Sequence, residues 1–186
     1  MNGPSLHRRV ATRRVYAGRL LQVDVDTVRA PDESLLDLEM VRHPGAAAVV
    51  PLLSELASPD PQVLLLRQYR YAAGGPIWEV PAGVLEPGES PETCARRELE
   101  EETGARAERM EHLTTIFTTP GFTDEQIHLF LATGIRTGEP RPMSDEFLEV
   151  EARPLSKVLE MIRDREIVDA KSIVALLYLA GFKLGL

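Results

Sequence analysis

The sequence predicts an α/β domain preceded by a small antiparallel β segment, and three patterns predict it. Ala46–Leu53 and Gln62–Gln68 are apolar runs of the kind that form strands buried on both faces. Pro154–Arg163 and Ala170–Ala180 repeat apolar residues at i, i+3 and i+4, as amphipathic helices do (Leu155, Val158, Leu159, Ile162; Ile173, Leu176, Leu177, Ala180). Val23–Val28 alternates apolar and acidic residues, the period-2 signature of a half-exposed strand. The 186 residues suffice for one such domain with an appendage, not for two large domains.

In chain order, residues 1 to 13 read as a mobile basic tail bearing Arg8, Arg9 and Arg13. After the Val23–Val28 strand, Ala30–Glu33 is a turn cluster and Leu36–Val41 returns as a second strand. The domain boundary is expected at His43-Pro44-Gly45, giving a β segment over 1–44, assigned to dimerisation, and a main domain over 45–186. Within the main domain, Ser54–Pro61 joins the two buried strands, and Glu79–Ala82 is a short extended piece broken at Pro81-Ala82-Gly83. Pro91 fits the first position of a helix with Ser90 as its N-cap, running to Thr103 and stopped by Gly104. Strands are expected at His112–Thr118, Ile127–Ala132 and Phe147–Ala152, followed by the two amphipathic helices.

Composition narrows the functional classes. Apolar residues make up 44% and charged residues 27%, which excludes wholesale disorder. Lys+Arg 21 against Asp+Glu 29 gives a net charge of −8, a balance that repels nucleic acid. Cys94 is the single cysteine, so no intrachain disulfide forms, and with four scattered histidines no zinc cluster can be assembled. No apolar signal region follows the first arginines, and the longest apolar runs are too short to span a bilayer. The expectation is a cytoplasmic protein with neither membrane nor nucleic-acid partners.

The most unusual local feature is Arg97-Glu98-Leu99-Glu100-Glu101-Glu102. On a helix, Glu98, Glu101 and Glu102 share one face. Two like charges about 5 Å apart at an effective dielectric near 20 repel by about 3 kcal/mol. The carboxylates also sit near the helix C-terminus, where the dipole disfavours anions. Hard oxygen donors arranged this way suit Mg²⁺ or Mn²⁺. The plainer alternative is a solvated acidic face.

The flanking residues sharpen the choice. Gly83, five residues, Glu89, seven residues, Arg97-Glu98-Leu99, one residue, Glu101-Glu102, one residue and Gly104-Ala105 resemble the signature box of the Nudix hydrolases. That resemblance implies an α/β/α sandwich with a mixed sheet. It implies hydrolysis of a nucleoside diphosphate linked to another moiety, by a water activated at two or three Mg²⁺ ions, with Mn²⁺ as a possible substitute. It gives Glu98 and Glu102 as principal metal ligands, Glu101 as a further ligand or support, the Ala82 carbonyl as a backbone ligand that some members use, Arg97 as the residue orienting the glutamates and Glu89 as a support.

Three further segments resemble the ADP-ribose pyrophosphatase branch: Pro120, sixteen residues beyond Gly104 within Thr119–Glu125; Arg67-Gln68-Tyr69-Arg70-Tyr71; and Glu79-Val80-Pro81-Ala82-Gly83. This likeness implies ADP-ribose, or a related ADP-sugar, as substrate, AMP and ribose 5-phosphate as products, and a homodimer whose N-terminal segments help form a shared site. It suggests Arg67 and Arg70 for the phosphates and Glu79 for adenine or ribose. Tyr16 and Arg19 are candidates for adenine stacking across the dimer interface, Phe122 and Thr123 for the terminal ribose, and Pro120 for substrate binding. Glu146 is the candidate water-positioning carboxylate and metal-proximal residue, with Glu149 as runner-up. Each of these also has an ordinary structural reading as a surface or turn residue; Trp78, His112 and His128 are read as structural. Two alternatives stand beside the leading one: another nucleoside diphosphate sugar such as GDP-mannose, or a non-catalytic domain that senses ADP-ribose, against which the intact box argues.

Overall fold

The protein is described here from a computed structural model covering residues 8–138 and 148–186. The chain divides into two compact units, one built on residues up to Gly45 together with Phe117–Gln126, the other on Ala46–Ile116 with Ile127–Leu186.

The first unit is a three-stranded antiparallel sheet in the order β1 (Arg8–Ala17), β2 (Gln22–Arg29), β3 (Leu35–Arg42). The stretch expected to be a mobile basic tail is, from Arg8 on, a strand. Its cause is on β2: Asp24 and Asp26 are buried, while Val23 and Val25 are only half-buried, the reverse of an ordinary amphipathic strand. Buried carboxylates need partners, and β1 brings them. Arg14 bonds Asp24, and the Thr12 hydroxyl donates to Asp26 at 2.7 Å. From β3, Arg42 donates to Asp24 at 3.0 Å, to Asp26, and to Asp124 at 3.1 Å. Phe117–Gln126 is stitched to β3: Val41 N–H donates to the Phe122 carbonyl at 2.7 Å, and His43 N–H to Asp124 Oδ1 at 2.8 Å. Phe117–Gln126 thus groups with the N-terminal sheet.

The second unit carries two sheets. One has the order β7 (Ala82–Val84), β4 (Ala46–Pro51), β9 (Gln126–Arg136), β8 (Arg106–Phe117); β4 runs parallel to β9 and antiparallel to β7, so the sheet is mixed. The other is antiparallel, in the order β10 (Leu148–Pro154), β5 (Gln62–Arg70), β6 (Gly75–Glu79). Most of β6 is hidden in the sequence because its Gly75-Pro76 start reads as a breaker. At a sheet edge, Pro76 opposite Tyr69 costs no ladder bond.

Three helices complete it: α1 (Pro91–Thr103), α2 (Leu155–Arg163) and α3 (Ala170–Tyr178), the last continuing through a wide turn over Leu179–Leu184. Alternate residues of β4 divide the core. Ala48 and Val50 pack with Leu65, Leu129 and Leu131 beneath Leu155, Val158 and Leu176 of α2 and α3. Ala47 and Val49 pack with Leu64 and Phe130 beneath Cys94, Ala95 and Leu99 of α1. Helices thus cover both faces, the expected α/β/α layering. On α3, Leu177 is exposed although its spacing suggested burial; Ala175 and Leu179 are buried instead.

Candidate active site

Helix α1 forms as its sequence dictates. Ser90 Oγ accepts the Thr93 N–H at 3.2 Å, Pro91 opens the first turn, and Gly104, at φ 69°, returns its N–H to the Glu100 carbonyl at 2.8 Å. With Cys94, Ala95 and Leu99 turned into the core, Glu98 and Glu102 fall at the margin of the buried face, 7% and 2% exposed. Their floor is β7. A Cβ placed on Gly83 would lie 1.8 Å from Glu98 Oε1, so the Glu98 carboxylate occupies the space a side chain at residue 83 would fill. The Ala82 N–H donates to Glu102 Oε2 at 3.0 Å. Two carboxylates are thereby fixed over one short backbone segment, which is itself held by β4 through the pairs Ala48 with Ala82 and Ala47 with Gly83.

Arg97 ties the loop to the helix. Nε and Nη2 donate to the two oxygens of Glu89, both at 3.0 Å, while Nη1 donates to Glu98 at 2.6 Å and to Glu101 at 3.1 Å. Its hydrogen bonds hold the Glu89 carboxyl below the usual range. Burial pushes the neighbouring Cys94 thiol up to about 12, which keeps it protonated and leaves it a packing role.

A second cluster lies in the same unit. Glu79, 3% exposed, accepts Arg70 Nε at 3.0 Å and Nη2 at 2.7 Å, and also Lys171 Nζ at 3.1 Å. Lys171 donates as well to Asp169 Oδ2 at 3.0 Å. That oxygen caps α3 through Ser172 N–H at 3.0 Å, and Ser172 Oγ accepts the Val80 N–H at 2.8 Å. Sequence reasoning did not single out Asp169, Lys171 or Ser172. A signal was present: a lysine in the first turn of a helix opposes the dipole and needs an anionic partner.

The other candidates are scattered. Arg67 meets Glu149 across β5 and β10 at 3.4 Å and lies 5.9 Å from the Trp78 ring, with Arg153 at 5.7 Å from the same ring. The structure thus pairs Glu149 with Arg67 and brings it to none of the α1 carboxylates among the contacts described. Tyr16 on β1, Arg19 in the following turn, and Pro120, Phe122 and Thr123 belong to the first unit. Glu146 lies outside the described residues. Clefts of ≈ 390 and ≈ 350 Å³ open along β8 and β9, lined in part by Arg109, Glu111, Leu131 and Thr133; neither contains an α1 carboxylate, so the chemistry and not the concavity marks the site.

Glu98, Glu101 and Glu102 offer only hard oxygen donors, and the Gly83 shelf leaves Glu98 room that any side chain would take. The donor set fits a divalent cation. Among the described residues no three acidic, histidine or cysteine side chains are gathered closely enough to enclose one; Arg97 gathers Glu89, Glu98 and Glu101 instead.

A family model described as the NUDIX domain matches residues 42–176, spanning α1, its loop and both sheets. This chain belongs to the Nudix family. Nudix hydrolases generally use a divalent metal such as Mg²⁺, in keeping with the donor set. A methanol dehydrogenase activator of Bacillus methanolicus is 39% identical over 91% of this chain and 90% of its own length. An ADP-ribose pyrophosphatase of Bacillus subtilis is 37% identical over 91% and 90%. Among solved structures, an ADP compounds hydrolase superposes with a TM-score of 0.82 at 20% identity, covering 100% of this chain and 98% of that one, which shows the shared Nudix fold. No helix among the described residues is long and apolar enough to cross a membrane.

Proposed function

We propose that this Nudix protein hydrolyses the diphosphate of ADP-ribose to AMP and ribose 5-phosphate, with Mg²⁺ at the α1 carboxylates. The observation that carries this is the buried pair Glu98 and Glu102, set over Ala82–Gly83 and braced by Arg97. Both carboxylates lie at low exposure on one helix face and offer only hard oxygen donors, the set a divalent cation takes. The substrate choice is supported by the Pro120 and Arg67–Tyr71 segments and by the 37% identical relative named for that activity.

In this reading Glu98, Glu101, Glu102 and the Ala82 carbonyl hold the metal. When bound, it would neutralise diphosphate charge and acidify a water. The remaining work falls to the chain. The Ala82 N–H and Arg97 keep the glutamates in place, and Arg70 and Arg67 receive phosphate oxygens as fork donors. Glu146 takes the proton of the attacking water, with Glu149, which pairs with Arg67, as the runner-up. Water adds across the P–O–P bridge: its hydroxyl goes to one phosphorus and its proton to the departing phosphate. We also propose a homodimer, supported by the apolar side chains Val10, Val15, Tyr16, Leu35, Leu36 and Leu38 exposed on the first unit.

The test is Glu102→Gln. The amide keeps an oxygen for the Ala82 N–H, so the expected variant is folded, with turnover reduced on the order of a hundredfold. Near-wild-type turnover in Mg²⁺ would contradict the metal assignment.

A further inference from the structure

Glu79 is more heavily countered than a single carboxylate requires. Arg70 engages both of its oxygens, and Lys171 adds a third bond to Oε2. The two cations differ in access: the Arg70 side chain is 41% exposed and that of Lys171 14%. Glu79 stands three residues before Ala82, whose N–H holds Glu102, so Arg70 is bonded to the segment that runs under the α1 carboxylates. Lys171 is anchored from behind by Asp169, whose Oδ2 caps α3, and Ser172 fixes the backbone at Val80, two residues before Ala82. One cation is thus placed to move, and the other is built in.

We infer that Lys171 is a positioning residue: by remaining on Glu79, it lets Arg70 swing from that carboxylate to a phosphate oxygen of the substrate. The inference rests on the diphosphate-hydrolase reading above. Its physical basis is desolvation. If Arg70 were the sole counter-ion, its departure would leave a carboxylate at 3% exposure uncompensated, a state far too costly for a phosphate contact to offset. With Lys171 in place, Glu79 keeps a charged donor throughout, and Arg70 exchanges one anion for another. Without Lys171, Arg70 is locked on Glu79 and absent from the substrate.

The expected effects are therefore non-additive. KM and kcat for ADP-ribose with Mg²⁺ are measured in the wild type, in Lys171→Met, in Arg70→Ala, in Glu79→Gln and in Glu79→Gln combined with Lys171→Met, with circular dichroism to establish folding. Lys171→Met is expected to raise KM about tenfold, the loss of one charge-assisted phosphate contact, with a much smaller change in kcat. Arg70→Ala should do the same, whereas adding Lys171→Met to Glu79→Gln should leave KM unchanged, because no buried charge then holds Arg70. An unchanged KM in Lys171→Met, or a tenfold rise on adding Lys171→Met to Glu79→Gln, would overturn the inference. Should the methionine variant not fold, Lys171→Gln takes its place, with the same results expected and the same results overturning the inference. Absence of ADP-ribose turnover in the wild type would instead overturn the proposed function, so the two failures are told apart.

Discussion

Gly83 separates stability from activity more cleanly than any other residue of the site. Its φ is outside the left-handed region, so alanine fits the backbone, and the three atoms nearest to a Cβ there are all of the Glu98 carboxylate. That carboxylate is the far end of a flexible side chain and can swing away. Gly83→Ala is expected to cost less than about 1 kcal/mol of stability and to lower turnover on the order of a hundredfold, because the proposed function needs Glu98 held where it is. A thermal melt and an activity assay on one preparation check both halves; full activity would show that the position of Glu98 does not matter. At this scale the sequence was informative where spacing was local. Glu89, Arg97, Glu98 and Glu102 lie within fourteen residues, and their helical phase follows from 3.6 residues per turn. The Glu79 cluster was not legible, because Lys171 and Ser172 meet Glu79 and Val80 across 92 positions of sequence.

At the scale of elements, α1 and its preceding loop act as one piece because Arg97 clamps Glu89. The clamp has a pH signature. The Arg97 hydrogen bonds lower the carboxyl of Glu89 from its ordinary value of 4.5. A lowered carboxyl contributes stability that is present above the unfolded value and lost as pH falls through the folded one. Glu89→Gln is therefore expected to melt lower than the wild type at pH 7, with the gap closing below pH 4.5. A constant gap from pH 7 to pH 3 would show that the clamp contributes nothing through charge. Helix α1 was legible to both ends because its caps are short-range chemistry: Ser90, Pro91 and Gly104. Strand β1 was not. A run of arginines gives no apolar period, and its reason to pair is the buried Asp24 and Asp26 of the next strand. The same inversion explains why the alternation of β2 points to the wrong face as the buried one.

For the whole molecule, the layered second unit was legible because alternate β4 residues serve two helical layers, which demands an unbroken apolar strand. The grouping of Phe117–Gln126 with the N-terminal sheet was not, since it depends on bonds such as His43 to Asp124, 81 residues apart. The apolar side chains left exposed on β1 and β3 predict a dimer by light scattering; a mass equal to one 20.6 kDa chain at every concentration would remove that proposal. The proposed function has the α1 carboxylates serve metal-dependent cleavage of the ADP-ribose diphosphate. Product analysis decides it, with ADP-ribose beside ADP-glucose, GDP-mannose, NADH, diadenosine polyphosphate and dGTP, each in Mg²⁺ and in EDTA. The expected result is AMP and ribose 5-phosphate from ADP-ribose, dominant over the other substrates and abolished by EDTA. Turnover undiminished in EDTA, or no product from any diphosphate in Mg²⁺, would contradict it.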